Sequence, residues 1–194
     1  MNHERLPSRA GRRPALRVAI TAVLLVTLAG GGSVTGCDTF NEQNEFADAA
    51  WEEPPAGITR TDEDGEVLQR DEDDWRTAPL YQGAIDFDPA YPNPTAGRRR
   101  VTLPFLVTDF NSISGSLILR GFDNRGNFVS LDEVRDAGQT GFHTFSFPAS
   151  LLSTSGDLSS IEGLHRLFVL DARGELVTYG DLRVDLSADT TAAE

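Results

Sequence analysis

Hydrophobic and polar residues alternate with a period near two over most of the chain from residue 81 onward, and turn residues interrupt the pattern at short intervals. In the last such segment Leu182, Val184 and Leu186 fall on one face, whereas Arg183 and Asp185 fall on the other. The inner runs 117–119 and 167–170 are apolar at successive positions, as expected of central strands that are covered on both faces or bent at the edge of the sandwich. The predicted strands are 81–88, 100–108, 114–123, 127–131, 141–147, 164–171 and 176–186.

These strands define the predicted fold class, because no segment longer than about ten residues carries a helical apolar stripe. Seven short strands within about 105 residues predict an all-β protein with a single immunoglobulin-like β-sandwich. The strand limits place this domain at residues 80–187. Residues 188–194 are then expected to be a disordered tail.

The N-terminal 36 residues have the composition of a signal peptide. Five arginines precede an apolar run, 18–28, and a segment of small residues, 29–33, follows it. The run is about half as long as the ~20 residues that a helix needs to span the hydrocarbon core of a bilayer. Residues 1–36 are therefore predicted to direct export, and Arg12-Arg13 leaves open whether the route is Sec or twin-arginine.

The signal ends at Val34-Thr35-Gly36-Cys37, which contains the only cysteine of the chain. This tetrapeptide resembles the lipobox of bacterial lipoproteins. The resemblance implies that the Cys37 thiol receives a diacylglycerol, that cleavage before Cys37 makes it the first residue, and that the new N-terminus is acylated. Two or more acyl chains, such as palmitate, anchor a protein stably, whereas one chain binds only marginally. The alternative is an ordinary buried thiol, and a single cysteine excludes an internal disulfide.

A lipid anchor on Cys37 would make the bilayer a partner and place the protein in the bacterial cell envelope. The outer membrane is the preferred location. Asp38, directly after the cysteine, resembles an inner-membrane retention signal of some bacteria, so the choice of membrane stays open.

The segment after the cysteine is strongly acidic. Residues 38–77 contain 14 acidic residues and three arginines, with few apolar side chains between them. Such a segment buries too little surface to offset its ordering entropy, so residues 37–79 are predicted to form a flexible, extended tether. Trp51 and Trp75 are exceptions, because large aromatic side chains in an acidic coil indicate a contact. Trp75 is expected to pack on the domain and to mark the start of order.

Two acidic clusters in this segment invite a calcium interpretation. In residues 61–66 the spacing fails, because an EF-hand glycine at Gly65 would put Arg60 at the first ligand position and Asp71 where a glutamate belongs. An Asp64-Gly65 hairpin turn explains the same residues. The run 71–74 is predicted to be a solvated patch, and a calcium requirement stays open.

The charge of the whole chain limits its partners. The net charge is −13, with 30 acidic residues against 17 basic ones, all of which are arginine. Binding to nucleic acid is excluded, because phosphate contacts need clustered basic side chains. An acidic, lysine-free surface is typical of a halophilic source, although high genomic GC content could also favour arginine over lysine.

A second resemblance rests on three segments of the domain. The segments are Ala90-Tyr91-Pro92-Asn93-Pro94-Thr95, the alternating 101–106, and the glycine-containing 121–127. Together they resemble the C-terminal sorting domains of type IX secretion cargo and the immunoglobulin-like module of flagellar hook-capping proteins. This resemblance implies an immunoglobulin-like fold over about residues 88–186. It also implies an alternative function as a type IX-like sorting or attachment module.

Few residues of the chain suggest catalysis. No nucleophilic serine stands in a glycine-flanked elbow, and His143 and His165 have no partner residues in sequence that would make a triad or a zinc site. His143 is expected to be a packed or edge histidine. Asp86 and Asp88 are expected on the solvent side of their strand, since Ile85 and its alternate neighbour face inward. The sequence therefore predicts no enzyme, no cofactor and no metal site.

Arg98-Arg99-Arg100 is the only basic cluster after the signal peptide. It could contact the acidic segment or an anionic partner such as a surface polysaccharide, or it could simply be the exposed start of a strand. We therefore expect a non-enzymatic lipoprotein that displays a β-sandwich for binding or envelope structure, with an envelope protein or polysaccharide as the possible partner.

Overall fold

The computed structural model describes residues 35–109, 113 and 115–187, with side chains from residue 38 onward. Residues from Asp38 onward belong to one compact unit. Residues 1–34 of the predicted signal peptide, the thiol of Cys37 and the predicted tail at 188–194 lie outside the described residues.

The described part of the chain contains one α-helix, nine strands and three 3₁₀ turns. The helix is α1 (Thr35–Glu52), and the 3₁₀ turns are Pro79–Tyr81, Ala149–Leu152 and Leu158–Ile161. The strands are β1 (Arg60–Thr61), β2 (Val67–Gln69), β3 (Ile85–Phe87), β4 (Arg100–Val107), β5 (Leu117–Phe122), β6 (Phe128–Val134), β7 (Gly141–Pro148), β8 (Gly163–Asp171) and β9 (Leu176–Val184).

The strands described here form three antiparallel sheets. A small hairpin pairs β1 with β2, a three-stranded sheet has the order β3-β4-β7, and a four-stranded sheet has the order β6-β5-β8-β9. The inner faces of the two larger sheets contribute to one hydrophobic core, with side chains such as Leu103, Phe105 and Phe145 from one sheet and Leu119 and Leu167 from the other. The all-β prediction is confirmed.

The strand limits follow the alternation in the sequence closely. In β4 the buried positions are Val101, Leu103, Phe105 and Val107, with partly exposed residues between them. The first predicted strand, 81–88, is shorter than expected. Its beginning overlaps the 3₁₀ turn at 79–81, so only Ile85–Phe87 pair with β4.

The acidic segment differs most from its prediction as a flexible tether over residues 37–79. It contains α1 and the β1–β2 hairpin, and four of its side chains belong to the hydrophobic core: Phe46, Ala50, Trp75 and Ala78. The spacing from Phe46 to Ala50 puts both on one helical face, which faces the sheet while the acidic residues of α1 remain exposed. A short apolar face is enough here because it meets a preformed apolar surface.

That surface is the outer face of β8 and β9. Most of β9 and the second half of β8 are buried on both faces, as the successive apolar positions 167–170 predicted. Phe168 and Tyr179 are cross-strand partners on the outer face. Phe46 of α1 packs on Tyr179, with ring centroids 5.1 Å apart, and Trp51 packs on Phe168. The segment predicted as a tether is therefore the cover of this sheet.

The chain after the hairpin also covers the edge of the four-stranded sheet. The backbone N–H groups of Trp75 and Ala78 donate to the carbonyls of Tyr179 and Val177 on β9, each at 2.8 Å. Trp75 is 4% exposed and packs over Gly180, where an added Cβ would lie 2.4 Å from the indole. Trp75 thus packs on the domain as predicted. Order, however, begins earlier in the chain, with α1.

Candidate functional site

The β1–β2 hairpin, the Pro-Asn-Pro turn and β9 meet at one buried side chain, Asn93. Its Nδ2 group donates to the carbonyl oxygens of Thr59 (3.1 Å) and Asp181 (3.0 Å), and its Oδ1 accepts from the backbone N–H of Arg183 (3.0 Å). Asn93 is fully buried, so these bonds satisfy polar groups that water does not reach. The turn predicted from its two prolines is thus also a junction between remote segments.

Helix α1 is attached to the sandwich at both ends of its buried face. Near the start of that face, the side chain of Gln43 donates to the Leu176 carbonyl (2.9 Å) and accepts from the Leu80 backbone N–H (3.2 Å). At the C-terminal end, Nη1 of Arg166 donates to the carbonyls of Glu53 (2.6 Å) and Ala49 (3.2 Å). A cation at a helix C-terminus satisfies unpaired carbonyls and is favoured by the helix dipole.

Arg166 also forms a buried ion pair with Asp181. Nε and Nη2 of Arg166 lie 2.8 and 3.1 Å from the two carboxylate oxygens, and the side chains are only 10% and 5% exposed. The guanidinium is thus fully engaged by Asp181 and by the end of α1. Removing one partner of such a buried ion pair lowers the stability of the fold, because the other charge is left buried without a counter-charge.

A second carboxyl group, Asp74, lies beside this pair. Its Oδ1 accepts from the Asp181 backbone N–H (2.7 Å) and its Oδ2 from the Thr59 N–H (2.5 Å). Burial raises the pKa of Asp74 to about 6, and the negative charges of Asp181 and Asp71 add to this effect, although the two hydrogen bonds oppose it. Within the run 71–74, Glu72 and Asp73 are exposed as predicted, whereas Asp74 is partly buried and structural.

A concave surface with exposed aromatic side chains lies where α1 ends. This Trp51 cleft has a volume of about 370 Å³ and is formed by residues 50–55, Phe122, Asp123, residues 164–166 and Phe168. Trp51 lies nearly parallel to Phe168, with centroids 4.1 Å apart and planes 9° apart. The rings of Phe122 and Phe128 meet the Trp51 indole at 81° and 70°. Trp51 and Phe122 nevertheless remain 44% and 42% exposed.

One rim of the cleft is a tight hairpin turn centred on Asp123. The Asp123 carboxylate accepts from the backbone N–H groups of Arg125 and Asn127 and from the side chains of Asn127 and Thr154, all at 2.8 Å. These hydrogen bonds, of which the Asn127 side chain has the largest effect, hold the pKa of Asp123 well below its usual range.

The same turn occurs three times in the described part of the chain. In each, an aspartate accepts from the N–H groups two and four residues later, and a glycine with positive φ occupies the fourth position. The three turns are Asp62–Glu66, Asp123–Asn127 and Asp171–Glu175. The first is the predicted Asp64-Gly65 hairpin turn, which is confirmed. Its acidic side chains thus belong to a hairpin.

The two histidines of the described chain are engaged with neighbouring groups. His143 stacks on Phe105, with centroids 5.3 Å apart, and its Nε2 lies 2.8 Å from the Gln139 carbonyl oxygen. His165 Nε2 lies 2.7 Å from the Ile161 carbonyl oxygen, at the edge of the Trp51 cleft. The prediction of a packed or edge histidine is confirmed, since His143 stacks on Phe105 and lies on the edge strand β7.

The other singled-out charged residues lie apart from the cleft. Asp86 and Asp88 are exposed, as expected from their alternation with buried Ile85. In the arginine cluster, Arg99 forms an ion pair with Glu63 of the first hairpin, and Arg100 donates to Ser146. One arginine of the cluster therefore contacts the acidic segment, which is one of the three roles predicted for the cluster.

Sequence reasoning did not find the Trp51 cleft, because its members come from parts of the chain more than one hundred residues apart. The only signal was the presence of tryptophan in an acidic segment. Among the described residues, no group of three or more His, Cys, Asp or Glu side chains could hold a metal ion. Within the same part of the chain, no helix combines the length and apolarity needed to span a membrane.

Comparison with known proteins finds no matching family model, no matching curated protein and no matching solved structure.

Proposed function

We propose that this protein is a non-enzymatic bacterial lipoprotein, anchored through acyl chains on Cys37, that displays an immunoglobulin-like β-sandwich on the cell envelope for binding or envelope structure. The bilayer is one partner. An envelope protein or a polysaccharide is the other. The outer membrane is the preferred location.

The observation that carries this proposal is the short distance in sequence between Cys37 and the docked part of α1. Gln43 is 5% exposed and bonded to the sandwich, only six residues after the cysteine. Even a fully extended chain spans at most ~3.6 Å per residue, so Gln43 lies within about 22 Å of the anchor point. An acylated Cys37 would therefore hold the sandwich close to the bilayer surface.

The immunoglobulin-like assignment draws on the strand order. Lettered in chain order from β3, the sheets are A-B-E and D-C-F-G. The immunoglobulin constant fold also separates A, B and E from C, F and G. The difference is β6, which pairs with β5 here, although its Asp132 still accepts from the backbone N–H of Ser146 on β7 (2.6 Å).

The non-enzymatic part of the proposal draws on the histidines and the arginine of the cleft. His143 and His165 are each within hydrogen-bond distance of a backbone carbonyl, and Arg166 is taken up by Asp181 and α1. The hydrogen-bond partner of each ring is thus a backbone carbonyl and not the carboxylate that orients the histidine base in a Ser-His-Asp triad.

The test is the intact mass of the protein recovered from the membrane fraction of the native host or a close relative. A species that begins at Cys37 and carries added acyl mass is expected. Cys37→Ala should abolish both the acyl mass and the membrane association, while the neighbouring control Thr39→Ala should keep both. A wild-type chain that is soluble and unlipidated would overturn the proposal.

A type IX-like sorting or attachment module is the second candidate. It is favoured by the Asp123–Asn127 hairpin between β5 and β6, together with the Tyr91-Pro92-Asn93-Pro94 turn that leads into β4. Grafting residues 38–194 onto an exported reporter tests this candidate. The graft begins at residue 38 because residues 59–78 complete the β9 edge and must be included. Release of the reporter by a type IX-competent host, and not by a secretion mutant, would support sorting. Retention in both hosts would reject it.

A further inference from the structure

We propose that the Trp51 cleft is a binding site for a neutral saccharide, with the indole of Trp51 as the platform for one sugar ring. The proposal gives the ligand class of the displayed module. It rests on the proposed function only in that the cleft must be exposed outside the cytoplasm.

The platform is a rigid aromatic surface. Phe168 supports one face of the Trp51 indole from below, at 4.1 Å, and Phe122 and Phe128 approach the stack at steep angles. Although it is stacked on Phe168, Trp51 remains 44% exposed, so part of this fixed indole is open to a ligand. A flat, fixed aromatic face accepts the C–H face of a pyranose ring with little loss of side-chain entropy.

Two carboxylates on the rim of the platform are hydrogen-bond acceptors. Glu52 and Glu53 have exposed carboxylates on the rim, next to Pro54 and Pro55. The cation of the lining, Arg166, is bound to Asp181 and to backbone carbonyls, so it offers no free donor to an anion. Carboxylates accept hydrogen bonds from the hydroxyl groups of a sugar. A phosphate or an acidic polymer would instead be repelled by the negative charge of these carboxylates.

The geometry and size of the cleft also favour a sugar over an organic cation. A cage for an ammonium group needs several converging aromatic faces. Here Phe128 lies under the guanidinium of Arg120, whose central carbon is 4.5 Å from the ring centroid, and Phe168 is covered by Trp51. The volume of about 370 Å³ lies at the lower end of the ~300–1,000 Å³ typical of small-ligand sites, which suits a short saccharide segment.

The experiment uses the full-length protein in a detergent without a sugar headgroup. Native gels containing galactomannan, xyloglucan or β-1,3-glucan report retardation, and titration with chito-, cello- and malto-hexaoses reports affinity. Binding to at least one neutral saccharide is expected. Trp51→Ala should weaken it by about tenfold or more, and Trp51→Phe by less, since phenylalanine keeps a smaller platform.

Phe142→Ala is the matched control, because Phe142 is 84% exposed on β7 and lies outside the cleft. It should bind as the wild type does. Because Trp51→Ala could loosen α1, Glu52→Gln/Glu53→Gln provides a second variant that leaves the aromatic stack in place. This double variant should weaken binding about threefold to tenfold through loss of charge-assisted hydrogen bonds.

Three outcomes would overturn the proposal. The first is that the folded wild type binds no neutral saccharide. The second is that the Trp51 and Phe142 variants change binding equally. The third is that pentalysine, titrated in parallel as a cationic probe, is the only probe that binds in a Trp51-dependent way. None of them depends on the membrane anchor. If Cys37 is acylated but the protein binds no saccharide, only the saccharide proposal is rejected. If the chain binds a saccharide but is not lipidated, only the proposed lipid anchor is rejected.

Discussion

At the scale of single residues, Asn93 shows how one polar side chain can join segments that are far apart in sequence. Its amide group satisfies the carbonyls of Thr59 and Asp181 and the N–H of Arg183. A hydrogen bond between buried polar groups adds only modestly to the free energy of unfolding, but each buried group left without a partner lowers it by about 1–3 kcal/mol. Asn93 therefore matters mainly through the groups that it satisfies.

Replacing Asn93 with alanine is expected to lower the free energy of unfolding by about 3–5 kcal/mol, since it leaves three backbone groups without partners, two of them in the buried residues Thr59 and Asp181. Urea denaturation followed by far-UV circular dichroism measures the change. Asn124→Ala is the control, because Asn124 is an exposed turn residue that bonds to Ser160 and Thr154, and it should cost about 1 kcal/mol or less. Equal losses in the two variants would contradict this role of Asn93.

Asp74 gives the stability a defined pH dependence. Its pKa is about 6 in the folded protein and near 3.8 in the unfolded chain. Below 3.8 both states hold the proton. Between 3.8 and 6 only the native state holds it, so the stabilising contribution is lost as pH rises through this window. Stability should therefore fall between about pH 4 and 6, by up to about 3 kcal/mol.

Urea denaturation at several pH values tests this effect. In Asp74→Asn the fall between pH 4 and 6 should be largely absent, whereas Asp73→Asn, at an exposed position, should keep it. Hydrogen bonds lower the pKa values of Asp123 and Asp185, and for Asp171 they outweigh burial, so the stability that these three groups contribute is gained mainly below pH 4 and offsets only a small part of the fall. A wild type whose stability rises steadily from pH 4 to 7 would show that Asp74 is not buried as described.

At the scale of elements, the joint between α1 and the sandwich depends on Arg166. Arg166→Met should cost about 3–5 kcal/mol, because it leaves Asp181 buried without a counter-charge and frees the carbonyls at the end of α1. Chemical denaturation measures the loss. Replacing both residues in Arg166→Met/Asp181→Leu should recover part of it, since the unpaired charge is then gone.

Arg100→Met is the control for this pair of variants. Arg100 is exposed and bonds to Ser146 on the neighbouring strand, so its loss should change stability by less than about 1 kcal/mol. If Arg166→Met were as mild as this control, the ion pair would not be the joint that holds α1.

The strands of the sandwich could be predicted from sequence because their signal is local. Alternation of apolar and polar positions in β4 and β9 reports directly which side chain faces the core. The successive apolar positions in β8 also indicated a second cover, correctly. What provides that cover could not be identified. The buried face of α1 is only a few residues long, and its high acidic charge is typical of an unfolded segment.

The candidate site was less predictable for the same physical reason. The sequence predicts a contact for Trp51 because it is an aromatic residue in an acidic segment. Its partners Phe122 and Phe168 are distant in sequence and contact it only in the folded protein. Likewise, the Pro-Asn-Pro turn was recognisable from its prolines, whereas burial of Asn93 depends on Thr59 and Asp181 from remote segments. Patterns within one strand are visible in a sequence, and contacts between distant segments are not.

At the scale of the whole molecule, the acidic segment becomes part of the folded unit. Residues 38–79 supply a helix, a hairpin and a segment that covers the β9 edge, and most of their charged side chains are exposed, although Asp74 is partly buried. A proposed anchor at Cys37 would then lead directly into a docked helix. The proposed saccharide site lies at the opposite end of that helix, beside Trp51.

Amide hydrogen exchange of the full-length protein, read by mass spectrometry, tests this account most directly. If α1 is docked, peptides covering residues 43–52 should be protected to within about tenfold of those from β8 and β9, and Arg166→Met should accelerate their exchange selectively. Exchange of residues 43–52 at the rate of an unstructured chain, with β8 and β9 still protected, would show that the acidic segment is a flexible tether and contradict the account.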